Sequence, residues 1–340
     1  MKLGATLLMV LALSASSMAQ AADEIVIKFS HVVAPDTPKG RAAEKFKQLT
    51  EERTKGKVKV EVYPNSQLYK DREEMEALQL GAVQMLAPSL SKFRPMGAAE
   101  FELFDLPYIF PDYETIHRVM DGEIGKHMFA KLETKGLHGL AFWDNGFKQM
   151  SANKPLRTIA DFKGLKMRIQ SSKVLDAQMK ALGANPQIMA FSEVYTALQQ
   201  GVVDGTENPP DNLYTQKMHE VQKHLTVSDH GFLGYAVIVN KKFWEGLPAD
   251  IRATLEQAMK EATAFERSIA KAENDDALSK VRAAKTTEVY VLPNEERAKW
   301  RAVLLPVHKE FEGSIGKDLI QMSYAIAAQV QKEKEKAAGK

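Results

Sequence analysis

From Ala249 to Lys285 the chain contains neither glycine nor proline, and alanine, glutamate, lysine and arginine dominate. These are strong helix formers. Ile251, Leu255 and Met259 recur every four residues. Ala262, Phe265 and Ile269 come next at mixed three- and four-residue steps, the period of an amphipathic helix. One helix over this stretch extends ~50 Å at 1.5 Å per residue, longer than one small domain. It either breaks near Asn274-Asp275-Asp276 or lies across two domains as a brace, and the brace is the reading adopted.

The rest of the chain supplies something to brace. Ile25–Ser30 reads as a strand, followed by a loop, His31 to Pro38, with two prolines. Ala42, Phe46 and Leu49 then mark an amphipathic helix, and Val58, Val60 and Val62 alternate with charged residues as a half-buried strand. Asp71–Leu80 reads as a helix and Val83–Leu86 as a short strand. Leu137–Trp143, Lys166–Gln170 and Gly234–Asn240 read as strands, and Lys173–Leu182 as a helix. Glu193–Gln200 reads as a helix with Ser192 as its N-cap and Gly201 at its end. Alternating strands and helices signal an α/β fold with a largely parallel sheet. No Gly/Ser linker separates the domains, so the chain is expected to cross between them several times, the arrangement of a hinged cleft. The stretch 294–340 reads as amphipathic helix ending in a lysine-rich tail.

The N-terminus reads as an export signal. Lys2 precedes an apolar stretch, Leu3 to Leu13, and Ala19-Gln20-Ala21 fits the small-x-small cleavage rule, placing a mature start near Ala22. The apolar core is too short for a membrane span, which needs about 20 residues. No lipobox cysteine is present, so the expected product is free in the periplasm and not membrane-anchored. Charge is balanced, 46 basic against 44 acidic residues, with one of the lysines inside the leader. Nucleic-acid binding normally leaves a basic stripe, so that partner class is set aside. With no cysteine, thiol nucleophiles, thiolate metal sites and disulfides are excluded.

Enzyme motifs are missing or malformed. His219 and His224 are five residues apart, whereas two zinc ligands on one helical face need a spacing of four. Gly313-Ser314-Ile315-Gly316-Lys317 is too short for a phosphate loop, and Asp318 replaces its hydroxyl. No G-x-S-x-G or G-x-G-x-x-G occurs. No metal and no cofactor is expected.

The most informative segments are Trp143–Met150 (WDNGFKQM), Asp161–Gln170 (DFKGLKMRIQ), Met189–Tyr195 (MAFSEVY) and Val203–Pro210 (VDGTENPP). With Phe29–Val32 (FSHV), Tyr63–Leu68 (YPNSQL) and Phe104–Tyr108 (FDLPY), their order and spacing resemble the DctP-type solute receptors of TRAP (tripartite ATP-independent periplasmic) transporters. The resemblance spans most of the chain after the leader. It implies a two-domain α/β receptor with an organic acid in its cleft, gripped by the arginine of the K-M-R-I-Q strand, here Arg168. A guanidinium presents a planar fork that matches a carboxylate with two charge-assisted hydrogen bonds. Asn208 matches the asparagine of the D-G-x-E-N-P segment, and Phe191 an aromatic that packs on the ligand skeleton. Lys148 stands where the family's sialic-acid receptors carry arginine, and Ser89 where they carry an acid. Both departures favour a smaller, purely anionic ligand. Ser91, Lys39, Asn212 and Tyr235 complete the candidate ligand-binding set, with Lys39 placed to meet a second carboxylate.

The fold class expected is α/β, a two-domain periplasmic-binding-protein-like fold with a hinge, a central cleft and a long domain-spanning helix. The expected division is 1–21 signal peptide, 22–147 plus 235–275 domain I, 148–234 plus 276–330 domain II, and 331–340 solvated tail. The expected function is a monomeric, non-enzymatic receptor for a C4-dicarboxylate such as succinate, malate or fumarate, delivering it to TRAP membrane subunits. Cations at both ends of the ligand (Arg168, Lys148, Lys39) motivate the choice. The alternatives are a monocarboxylate or keto-acid receptor, a periplasmic enzyme using His31 as base, and a receptor that hands its bound ligand to a signalling partner.

Overall fold

A computed structural model describes residues 24–339, so the export signal expected over residues 1–21 lies outside the described residues. The first structural unit grows from β1 (Ile25–Ser30), with β2 (Val58–Tyr63) and β3 (Met85–Leu86) parallel to it on either side. Helix α1 (Pro38–Arg53) starts where the sequence changes from loop to helix. The Thr37 side chain accepts from the Gly40 N–H, and Pro38 sits at the first helical position, where its missing donor costs nothing. Helix α2 (Asp71–Leu80) opens with three acids in its first turn and ends on Gly81, whose φ of +77° is a left-handed cap that glycine takes without a Cβ penalty.

Two strands run through the whole molecule. β4 (Leu137–Ala152) and β8 (His224–Asn240) are 16 and 17 residues long and pair antiparallel, with register shifts at Gly139/Ala141, Asp144/Gly146 and Lys148/Met150. One end of β8 pairs with β3. The far end of β4 pairs with β7 (Gly205–Asn208), which continues in parallel to β5 (Lys166–Ile169) and β6 (Asn185–Ile188). β9 (Glu288–Val291) runs parallel along the start of β8. The result is one nine-stranded sheet in the order β2-β1-β3-β8-β4-β7-β5-β6, with β9 added to β8.

Two expectations change here. The sheet is mixed rather than largely parallel, because the two long strands run antiparallel to each other, to β3 and to β7. They are also far longer than the apolar runs Leu137–Trp143 and Gly234–Asn240 suggest. Asp144, Asn145, Lys148, Gln149 and Ser151 of β4 are polar yet buried. A hydropathy period cannot see a strand whose inward face is polar.

The Gly- and Pro-free segment is one unbroken helix, Ala249–Ala284, ending at Lys285 in the left-handed region. Its first half (Ile251, Leu255, Met259, Ala262) packs with Phe29, Phe46 and Trp143. Its last turns place Val281 among Val32, Val33, Phe191 and Leu213. Asn274, where a break was conceivable, is a tie instead. Its Nδ2 donates to the Asn145 carbonyl (2.6 Å), and its Oδ1 accepts from the Asp211 N–H (3.1 Å). A Cβ on Gly146 would lie 2.8 Å from Asn274 Nδ2, so glycine lets the helix approach β4.

Ser192 does not cap a helix. Phe191–Glu193 form a 3₁₀ turn and the α-helix starts at Val194, because the backbone enters the turn extended at Ala190. The C-terminal region ends in the helix Lys317–Ala337, which reaches into the segment expected as a tail. Ile320 joins the core around Phe104 and Ile116, and Glu333 and Lys334 pair with Arg118 and Asp112 of the α3 region (α3, Tyr113–Asp121). No helix among the described residues is long and apolar enough to cross a membrane.

Candidate ligand-binding site

Four cations are buried in the described structure: Lys39, Lys92, Lys148 and Arg168. A buried charge is costly unless it is paired, so their partners define the chemistry. Lys92 is neutralised twice, by Asp71 (2.5 Å) and Glu74 (3.0 Å). Lys148 lies 2.8 Å from Glu207 and 3.9 Å from Asp105. Glu207 also accepts from Gln178 Nε2 (2.9 Å) and faces His230 Nε2 at 2.8 Å. Burial works against ionisation of Glu207, but Lys148 and His230 hold its carboxyl well below the usual range.

Arg168 and Lys39 differ. Neither has a carboxylate within 4.0 Å among the described residues. Arg168 lies in β5 and directs both Nε and Nη2 to the Met189 carbonyl, at 3.1 and 2.8 Å. Its guanidinium stands 5.8 Å from the ring centroid of Phe191. Lys39, in the first turn of α1, donates to the Ala87 carbonyl (2.9 Å) and lies 3.7 Å from the Tyr235 ring centroid. Burial and the neighbouring Lys92 lower its pKa to about 7. The two cations share one electrostatic environment, since Asp71 acts on both.

Polar groups connect their surroundings. Tyr235 OH accepts from Asn145 Nδ2 (2.6 Å), which also reaches Asn212 Oδ1 (3.0 Å). Asn212 Nδ2 lies 3.5 Å from Asn208 Oδ1. Asn145 Oδ1 has no partner, an acceptor held in reserve. Ser89 and Ser91, at the start of a short 3₁₀ helix, both hydrogen-bond Gln170 Oε1, at 3.1 and 3.0 Å. Ser91 also donates to Asp105 (2.6 Å). Burial lifts the Asp105 pKa to about 6. His31 is fully buried with neither ring nitrogen partnered, and burial together with Lys39 lowers its pKa to about 3.

The structure thus gathers Arg168, Phe191, Lys39, Tyr235, Ser89, Ser91, Asn208 and Asn212 around one polar interior, while Lys148 stands beside it with its charge taken up by Glu207. Gln170, Asn145, Asp71 and Lys92 belong to the same interior and were not singled out by sequence. Gln170 and Asn145 sit inside the two motifs that carry Arg168 and Lys148, which is the signal that could have found them. Asp71 reads only as an acid at a helix start. No group of three or more histidines or acids suited to a metal occurs among the described residues.

The family profile described as "Bacterial extracellular solute-binding protein, family 7" (DctP) matches residues 29–314. The chain belongs to this family. Among its relatives, the C4-dicarboxylate-binding periplasmic protein DctP of Rhodobacter capsulatus is 65% identical over 326 residues, covering 96% of this chain and 97% of the relative. A TRAP periplasmic solute-binding protein from Sulfurospirillum deleyianum, solved with bound succinate, superposes with a TM-score of 0.87 at 48% identity, covering 89% of this chain and 99% of the other. A Pseudomonas aeruginosa protein solved with L-malate gives 0.82 at 44% identity, covering 84% and 99%. The α/β architecture built above is therefore the two-domain fold of this receptor family.

Proposed function

We propose that this protein is an extracytoplasmic receptor that binds a C4-dicarboxylate of the succinate, malate or fumarate class and delivers it to the membrane subunits of a TRAP transporter. One observation carries the ligand class: of the four cations buried among the described residues, Arg168 and Lys39 alone have no acid partner there. A dianion with a carboxylate at each end neutralises both at once, whereas a monocarboxylate leaves one charge buried and uncompensated. The relatives' bound succinate and malate support the same reading. Arg168 takes one carboxylate, and Lys39 with Ser89 takes the other. Asn208, Asn212 and Asn145 supply donors and acceptors along the chain, and Phe191 and Tyr235 cover its carbons.

The two halves, 22–147 with 235–275 and 148–234 with 276–330, act as lobes that shut on the ligand, with β4, β8 and the long helix between them. The periplasm is the compartment the relatives' names support. Catalysis is disfavoured because His31, the base the sequence offered, is lowered to a pKa of about 3 by burial and Lys39 and is a poor base at neutral pH.

Calorimetry and thermal-shift titration over dicarboxylates, monocarboxylates and sugar acids test the reading. Succinate or malate should bind and raise the melting temperature. Arg168→Ala should cost roughly 2–5 kcal/mol of affinity, the usual loss when a desolvated charge loses its partner. Undiminished binding by that variant would remove Arg168 from the site, and silence toward every acid would remove the receptor assignment.

A further inference from the structure

Asp71, the first residue of α2, divides its two carboxylate oxygens between the two halves of the molecule. Oδ1 takes the ammonium of Lys92, in its own half (2.5 Å), and Oδ2 accepts the main-chain N–H of Phe191, in the other (2.7 Å). The turn it grasps is the one that aligns Arg168. Met189 in that turn accepts both guanidinium hydrogen bonds, and Phe191 carries the ring beside the guanidinium. Two further contacts cross the same gap. Lys70 pairs with Glu193 at 2.7 Å, and Ser89 and Ser91 meet Gln170. Lys70–Glu193 is exposed and contributes little, whereas Asp71 is largely shielded, with its side chain 16% exposed. Despite burial, Lys92 and Arg168 hold its pKa at about 2, so it stays a carboxylate at neutral pH.

An anionic side chain repels a bound dicarboxylate, so Asp71 serves the site through what it holds. We propose that Asp71 is the latch of the receptor, a positioning residue that fastens one half to the Met189–Phe191 turn of the other and thereby sets how long a bound acid stays. This rests on the receptor reading above and adds a residue that controls release. A contact between the halves persists only while they are closed over the site, so its loss raises the dissociation rate and leaves the association rate nearly unchanged.

The test is stopped-flow binding of succinate to the full chain and to Asp71→Ala, with a distance measurement beside it. Because the chain has no cysteine, Glu52→Cys and Lys163→Cys place single spin labels at exposed sites in the two halves. Asp71→Ala should raise the dissociation rate about tenfold, keep the association rate within about twofold, and move the label distances outward. Asp71→Asn keeps an acceptor for the Phe191 N–H but loses the charge facing Lys92, so its effect should be smaller and in the same direction. An unchanged dissociation rate with unchanged distances overturns the latch. So does a slowed association with a lowered ligand-free melting temperature, which would make Asp71 a local anchor of α2. If the parent fails to bind succinate, the dicarboxylate reading falls, and the label distances still decide the latch.

Discussion

Lys39 has its ammonium in a place that burial and Lys92 make unfavourable, with a main-chain carbonyl and the face of Tyr235 as its nearest partners. With its pKa lowered to about 7, a neutral amine accumulates in the free protein as pH rises past that value. The unfolded chain keeps this lysine protonated up to about pH 10, so between about 7 and 10 the unfolded state binds more protons and this group adds stability to the ligand-free fold as pH rises. Ligand binding has the opposite sign, because a carboxylate needs the ammonium. Succinate affinity should fall by up to about tenfold per pH unit above 7, with close to one proton taken up per ligand bound. Calorimetry near pH 8 in buffers of different ionisation enthalpy counts that proton. Lys39→Met should abolish the uptake and weaken succinate far more than a monocarboxylate. An unaltered uptake in that variant would place the proton elsewhere. Of this site, Arg168 and Asn208 were legible because they lie in motifs. The neutralisation of Lys148 was not, since Glu207 and Asp105 meet it only after β4, β7 and the segment before Tyr108 are brought together.

At the scale of elements, the long helix was readable from composition and period, but its attachment to β4 was not. Glu266 is fully buried in the middle of that helix. Its Oε2 accepts the Asp144 N–H at 3.0 Å, while its Oε1 and the Oδ1 of Asp144 are without partners. Burial first, and then the charge of Asp144, raise the Glu266 pKa well above 4.5. On its own helix Arg267, paired with Asp121, opposes the shift; facing it from neighbouring elements are Tyr113 of α3 and Tyr235 of β8, and His117 bonds the other oxygen of Asp144 (2.6 Å). A carboxyl raised above its unfolded value adds stability that is fully present below the unfolded pKa and is lost as pH climbs through the folded one. The joint between helix and hinge strand is therefore expected to weaken toward alkaline pH. Glu266→Gln keeps the acceptor for Asp144 N–H and carries no proton to lose. It should melt above the parent at about pH 8 and converge with it near pH 5. Melting curves parallel at every pH would show that Glu266 titrates normally.

For the molecule as a whole, the question is whether two lobes make two folding units. Sequence showed two domains' worth of alternating elements, no linker, several expected crossings and a bracing helix, but not the strands that make the join. The join is the sheet itself. β4 and β8 pair over almost their full lengths, and β3 at one end and β7 at the other hydrogen-bond to them directly. Separating the lobes therefore breaks backbone ladders rather than a soft interface, and polar residues along β4 would lose their buried partners. The helix Ala249–Ala284 adds apolar contact with the cores of both halves. Scanning calorimetry should accordingly give one transition with calorimetric and van't Hoff enthalpies in a ratio near 1. Succinate at about 100 times its Kd should move that entire transition upward, with about 2.7 kcal/mol of added stability. Two transitions, only one of them moved by succinate, would mean that the ladders bear less than the geometry suggests and that each lobe folds by itself. On the proposed binding mode succinate should shift a single transition as a whole, because Asn145 of β4 and Tyr235 of β8 would then contact it from the two strands that both lobes share.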